Sequence, residues 1–216
     1  MSNNLKKRII TSFILLSFLF FSFINYFLLG YFLLIITLLS LVEFFVITSN
    51  IFAKNENKIF LTNIIFIIFI FSISGIIFIL SSYLHLKILI FLLLFTCVVS
   101  DIGGFISGNV FKGPKLTKIS PNKTISGAVG SLVFSTIFVT LIIGYMTNNF
   151  QLNSIIVGLI TSIGCQIGDL FFSFLKRKSS LKHTGNILPG HGGILDRIDG
   201  MLLGIPLGFL TLLIVY

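Results

Sequence analysis

Four residues, Asp101, Asp169, Asp196 and Asp199, are the only aspartates in a chain of 216 residues that also carries 15 Lys and Arg. Carboxylates set beside lysines and arginines suit divalent cations and phosphate together: a hard cation takes oxygen ligands, and the basic side chains take the anion. Asp196 and Asp199 are three apart, so on a helix they share one face. With Asp169 from another segment they make an oxygen-rich site for Mg²⁺, which prefers a few carboxylates plus substrate phosphates. Lys123, Lys176, Arg177 and Arg197 are the candidates for neutralising those phosphates.

Two polar segments hold these residues. The first runs from Ser100 to Gly127 and reads S-D-I-G-G-F-I-S-G, then a lysine-rich stretch, then S-P-N-K-T-I-S-G. Ser120, Pro121, Lys123 and Thr124 precede an apolar run, where a helix N-terminus adds free N–H groups and a favourable dipole for an anion. The Lys-Thr pair lacks the glycine spacing of a P-loop, so that reading is rejected. The second segment runs from Gln166 to Pro206. Pro189-Gly190-His191-Gly192-Gly193 is a glycine-rich turn able to turn backbone N–H groups towards phosphate. His183 is an ordinary loop residue.

The elements that must position these segments are membrane helices. The chain is 56% hydrophobic and 10% charged, with a mean hydropathy of +1.11, against about 25% charged residues in soluble domains. Lipid is therefore the solvent for most of it. Spans of about 20 apolar residues fall at Ile9–Asn25, Gly30–Thr48, Ile59–Leu80, Tyr83–Val99, Ile125–Met146, Leu152–Phe172 and Ile198–Tyr216. The first two are joined by a tight turn around Asn25–Gly30. Gly103–Val110 is too short to cross, and either extends the fourth helix or forms a re-entrant piece. The expected fold is all-α, a polytopic bundle of about seven spans, with N-terminal spans over 1–100 and a catalytic region over 101–216. The apolar run after Met1–Arg8 is longer than a cleavable signal, so it is expected to be retained. Cys97 and Cys165 sit in apolar runs and are expected to be packing residues, with no disulfide and no zinc site.

In this topology the basic residues gather on one side, and of the fifteen only Lys87 falls near the other. The positive-inside rule then places the N-terminus and both long loops in the cytosol. It also accounts for the net charge of +9 without nucleic acid. Of the six acids, Glu56 is a loop residue. Glu43 and the four aspartates lie in or at the ends of spans, where carboxylates are costly and mark function by default.

Gln166–Asp199 closely resembles the C-terminal signature of the phosphatidate cytidylyltransferases (CDP-diacylglycerol synthases), S-x-x-K-R followed by K-D-x-G-x-x-x-P-G-H-G-G-x-x-D-R-x-D. Ser100–Gly108 and Ser120–Gly127 resemble two upstream elements of the family, S-D-x-G-A-[YF]-x-x-G and S-P-x-K-T-x-E-G. The likeness covers about the last 120 residues. It implies an inner-membrane enzyme that converts CTP and phosphatidate to CDP-diacylglycerol and pyrophosphate. It also implies a paired cation centre, Mg²⁺ with a second cation such as K⁺, carried onto Asp169 and Asp196 with Asp199 close by. The resulting catalytic set is Asp169, Lys176, Arg177, Asp196, Arg197 and Asp199. Asp101, Ser120, Pro121, Lys123, Thr124, His191, Gly192 and Gly193 are assigned to substrate binding. Expected partners are CTP, phosphatidic acid and membrane lipids, and a second copy of the chain in a homodimer. Two positions depart from the pattern: His183 stands where the family has Asp, and Ser126 where it usually has Glu. The chain is short for the family, so one or more N-terminal spans are expected to be missing.

The chemistry needs no strong base, because the attacking phosphate oxygen is already anionic. The difficulty is bringing two polyanions together and stabilising departing pyrophosphate, which cations can do by in-line transfer at the α-phosphate. Three alternatives remain. A polyprenol kinase or a cytidylyltransferase for another lipid would use similar parts. A CDP-alcohol phosphotransferase shares the Asp196–Gly200 pattern but needs a second aspartate pair that is absent. A transporter predicts acids at the bilayer midplane and internal symmetry, and neither is visible.

Overall fold

The computed structural model describes residues 3–53, 55–185, 187 and 192–216. The described helices are α1 (Asn3–Ile24), α2 (Tyr26–Ile51), α3 (Glu56–Leu80), α4 (Leu84–Phe111), α5 (Ile125–Thr147), α6 (Leu152–Lys178), α7 (Leu195–Ile198) and α8 (Met201–Val215). Six segments are long and apolar enough to cross a bilayer, and Ile9–Ile24 is a shorter apolar helix. The protein is a polytopic membrane helical bundle.

The local boundaries follow from capping chemistry. The turn expected over Asn25–Gly30 contracts to Asn25 alone, whose side chain accepts from the N–H of Phe27 at 2.9 Å and of Leu28 at 3.4 Å. One polar residue thus ends α1 and caps α2. Gly30 falls inside α2, where a Cβ would come within 2.7 Å of the Phe78 ring. Asn55 caps α3 through the N–H of Lys58. At the far end of α5, Asn148 takes the left-handed conformation, φ 52°, that closes many helices. Of the two expectations for Gly103–Val110 the extension holds: the segment continues α4 to Phe111, past the span expected over Tyr83–Val99. The last expected span is interrupted, because a turn at Asp199–Gly200 separates α7 from α8.

The chain packs as two compact units, each built from two separate stretches of the sequence. The first comprises Met1–Lys87 and Leu175–Ile198. Here α2 packs against both α1 and α3 through large side chains. The Phe44 and Phe66 rings stack at 3.8 Å and those of Tyr26 and Phe78 at 4.3 Å. Polar pairs add direction, as Thr37 meets Ser74 at 2.7 Å and Asn63 donates to Thr48 at 2.8 Å.

The second unit comprises Ile88–Phe174 and Asp199–Tyr216, and it packs by close backbone approach. A Cβ on Gly103 of α4 would lie 3.1 Å from the Gly130 carbonyl of α5. One on Gly164 of α6 would lie 3.0 Å from the Gly204 Cα of α8. Small residues let membrane helices meet in this way, with short polar side chains as cross-links. Ser100 and Ser162 meet at 2.7 Å, and Gln166 Nε2 donates to the Ala128 carbonyl at 3.1 Å. Cys97 and Cys165 are both buried and free, as expected of packing residues.

Candidate active site

Within the second unit, the 112–124 loop is shaped by its own backbone. Lys112 and Gly113 take positive φ, 50° and 115°, and turn the chain away from α4. Pro114 then accepts from Ile125 N–H at 3.0 Å, and Leu116 N–H donates to Lys123 at 2.8 Å. Ser120-Pro121-Asn122-Lys123 is a turn closed by Lys123 N–H to the Ser120 carbonyl at 3.1 Å, with proline at its favoured second position. Ser120 and Pro121 therefore shape the turn rather than line the cleft. Thr124 caps α5 through the N–H of Gly127 at 3.1 Å. The Ser126 hydroxyl donates to the Lys112 carbonyl, so the residue that departs from the family pattern ties the start of the loop to α5.

This loop covers a cleft of about 400 Å³. Asp101, Lys112, Lys123, Thr124, Gln166 and Asp169 supply its principal polar lining, with Asn109, Asn122 and Ser131. Lys123 Nζ lies 2.8 Å from Asp169 Oδ2, and the two side chains keep 33% and 21% of their surface exposed. The cleft thus brings together four of the sequence candidates from three segments: Asp101 from α4, Lys123 and Thr124 from the end of the loop, and Asp169 from α6. Gln166 and Asn109 were missed, while the Asn122 amide belongs to the polar Ser120–Thr124 segment already singled out in the sequence. Gln166 had a visible signal, since it lies three residues before Asp169 in an otherwise apolar helix.

Asp101 and Asp169, with the Gln166 amide nearby, suit Mg²⁺ in the form that takes one or two protein carboxylates and completes its shell with water and substrate phosphate. Among the described residues, no group of three or more His, Cys, Asp and Glu converges to hold a metal on its own. Lys123 already neutralises Asp169. With that pair opened, the Asp169 carboxylate would be available to hold a cation, which would supply charge neutralisation, and the Lys123 ammonium would be available to a phosphate.

The first unit gathers a second set of candidates. Lys176 Nζ lies 2.8 Å from Asp196 Oδ1, with only 14% and 7% of the side chains exposed. Asp196 Oδ2 accepts from the N–H of Thr184 at 3.1 Å and of Gly193 at 3.3 Å, with His183 Nδ1 at 3.6 Å. Both oxygens of Asp196 are therefore engaged, and His183 lies beside a carboxylate although it was read as an ordinary loop residue. Glu43 of α2, only 2% exposed, accepts from the Thr184 hydroxyl at 2.7 Å and from Ile194 and Leu195 N–H at 2.9 and 2.8 Å.

The remaining candidates are spread more widely. Asp196 belongs to α7 while Asp199 lies in the turn after it, so the two do not share a face of one helix as predicted. Asp199 is buried, and its Oδ1 accepts from Gly200 N–H at 3.0 Å. Arg177 and Arg197 are exposed. Gly192 takes φ 85°, the left-handed region open to glycine, and Gly193 is buried. His191, with Pro189 and Gly190, lies outside the described residues.

Comparison with known proteins returns one family repeatedly. The cytidylyltransferase family profile matches residues 2–215. A protein of Helicobacter pylori strain J99 named phosphatidate cytidylyltransferase is 39% identical over 113 residues, covering 52% of this chain and 42% of the relative. One of the same name from Rickettsia bellii is 39% identical over 128 residues, covering 55% of each. Another from Mycobacterium leprae is 38% identical over 114 residues, covering 52% of this chain and 36% of the relative. The matches thus span about half or less of these relatives' length. The profile runs through both packing units, and on that match the chain belongs to the cytidylyltransferase family.

Proposed function

We propose that the protein transfers a cytidylyl group from CTP to phosphatidate, giving CDP-diacylglycerol and pyrophosphate. The observation that carries this reading is the cleft of the second unit, which Asp101 of α4 and Asp169 of α6 line together with Lys123, the last two in direct contact. The relatives' name supplies the substrate class.

An oxygen of the lipid phosphate attacks the α-phosphorus of CTP, and the bond from that phosphorus to the bridging oxygen of the β-phosphate breaks. Pyrophosphate leaves on the side opposite the attack. Lys123 offers an ammonium to the phosphate chain, and Lys112 stands at the cleft margin for the same charge. The Lys123–Asp169 pair keeps a fifth to a third of its side-chain surface exposed, so it opens at less cost than a fully buried pair. Asp101 and Asp169 would hold Mg²⁺, which supplies charge neutralisation of the phosphates when bound. Asp196 and Asp199 remain proposed ligands on the motif alone. Arg177 and Arg197 are proposed to contact phosphate on the same ground.

The asymmetry of the basic residues supports a cytosolic N-terminus and cytosolic 112–124 and 179–194 segments, with the protein in the inner membrane. Cysteines placed in the Asn148–Gln151 loop should react with an impermeant reagent from the periplasmic side, and those at Lys112–Lys118 should not. The central test is purified protein with CTP, phosphatidate and Mg²⁺, scored for CDP-diacylglycerol. Product that requires both substrates supports the assignment. Phosphorylation of a polyprenol with no CDP-lipid moves it to the kinase alternative.

A further inference from the structure

Glu43 lies in the phenylalanine-rich first half of the chain, far in sequence from every motif, yet it is among the most buried polar residues described. Its two carboxylate oxygens accept three hydrogen bonds. Oε1 takes Ile194 N–H at 2.9 Å, and Oε2 takes the Thr184 hydroxyl at 2.7 Å and Leu195 N–H at 2.8 Å. A buried acid in a membrane helix is costly unless such donors surround it. The neighbouring glycines make room for it. A Cβ on Gly185 would lie 2.8 Å from Oε1, and one on Gly193 would lie 2.7 Å from the same atom while also striking the Thr184 hydroxyl.

The same short stretch is held from its other side by Asp196. That carboxylate takes Thr184 N–H and Gly193 N–H and pairs with Lys176 at 2.8 Å. Thr184 is thus gripped twice, by its hydroxyl to Glu43 and by its N–H to Asp196. Leu195, whose N–H is fixed by Glu43, directly precedes Asp196. The Glu43 carboxylate is thus a polar tie between α2 and the Asp196–Lys176 pair.

We infer that Glu43 is a positioning residue for the proposed transfer: through Thr184, Ile194 and Leu195 it sets the orientation of Asp196 and, through Asp196, of Lys176. This rests on the reading of the protein as a cytidylyltransferase acting on a lipid phosphate. Glu43 itself touches neither substrate.

Glutamine at position 43 keeps the shape but replaces one acceptor oxygen with an NH₂ group, which must then face a hydroxyl or an N–H. Glu43→Gln should lower kcat about 10–100-fold, the scale of losing a residue that orients a ligand, with the KM for CTP changed less than about threefold. The decisive readout is a double-mutant cycle with Asp196→Asn, run with full-length protein in detergent. If Glu43 acts through Asp196, the double variant should be no slower than Asp196→Asn alone. Multiplying losses, or Glu43→Gln at the wild-type kcat, would overturn the inference. Should Glu43→Gln fail to elute as a single species, Thr184→Val removes only the hydroxyl contact. It should lower kcat about threefold with CTP KM unchanged, and an unchanged kcat there sinks the idea. Wild-type protein that makes no CDP-lipid overturns the functional reading and this inference together; active wild type with an indifferent position 43 overturns the inference alone.

Discussion

Among the described residues, each packing unit holds a lysine–aspartate pair at the same separation, 2.8 Å, and these two pairs are built for different purposes. Lys123–Asp169 stands in a cleft with a fifth to a third of each side chain exposed. One oxygen of Asp169 meets the lysine, and water can reach both partners. Lys176–Asp196 is mostly buried, and both aspartate oxygens are committed. An exposed pair separates at little cost, whereas breaking a buried one leaves an uncompensated charge. The first pair can trade partners with an incoming ligand. The second holds backbone in place. Equal distances therefore say nothing about equal roles; the number of remaining donors and the access of water decide.

The sharpest way to break this distinction is Asp196→Asn. It should lower turnover at least about a hundredfold and also destabilise the protein by about 3 kcal/mol, because Lys176 loses its buried partner. Replacing both members by apolar residues, Lys176→Met with Asp196→Leu, should restore much of the thermal stability and none of the activity. Heating in detergent, followed by loss of the monodisperse peak, reads the first quantity. Asp169→Asn comes next. It should cost at least about a hundredfold in turnover with a smaller loss of thermal stability than Asp196→Asn, since Lys123 keeps a third of its side chain exposed. Near-wild-type turnover of Asp169→Asn across a Mg²⁺ titration would remove the cleft from the mechanism.

Lys123→Met should act on binding more than on stability. Losing a hydrogen bond to a charged group, worth about 1.5–3 kcal/mol, should raise the KM for CTP about tenfold or more. The wild-type KM should rise with ionic strength more steeply than that of the variant. The smallest effect is expected at Thr124→Ala, which removes the cap of α5 and should lower stability by about 1 kcal/mol. If Thr124→Ala instead abolished activity with stability intact, the threonine would belong to the substrate site and not merely to the helix start.

What could be read beforehand follows the physics of each signal. Hydropathy made the membrane helices legible, because about 20 consecutive apolar residues match the thickness of bilayer hydrocarbon. Asp101, Lys123 and Asp169 were legible one by one because rare charges in apolar surroundings stand out, but their grouping was not: the sequence joins Asp169 to Asp196 and Asp199 instead. Three further features were not legible. The length of α4 was left open between an extension and a re-entrant piece, because Gly103, Gly104 and Gly108 resemble a helix stop in isolation but meet α5 closely in the fold. The break between α7 and α8 had no proline or cap to announce it; the buried Asp199 and Gly200 beside Gly168 mark it only in three dimensions. Glu43 stayed ambiguous because its partners lie about 140 residues or more away, and two of its three donors are backbone N–H groups, which no residue type advertises.

The uninterrupted apolar part of α4 also sets a length. Between Lys87 and Asp101 the helix carries no charge, and at 1.5 Å per residue that stretch is about 20 Å long. Bilayer hydrocarbon is roughly 30 Å thick. Lys87 cannot reach far to make up the difference, since its Nζ is held 2.9 Å from the Phe23 carbonyl. Beyond Asp101 the helix runs on without charge to Phe111, so the carboxylate lies within the apolar helix, and leaflets that thin around it would bring it towards water. Thinning draws headgroups inward, towards the level of Asp101, so a phospholipid arriving beside α4 needs little vertical travel for its phosphate to meet the cleft. Catalysis should accordingly depend on the acyl length of the host membrane: vesicles of short-chain lipids should support faster turnover than long-chain ones at equal substrate density.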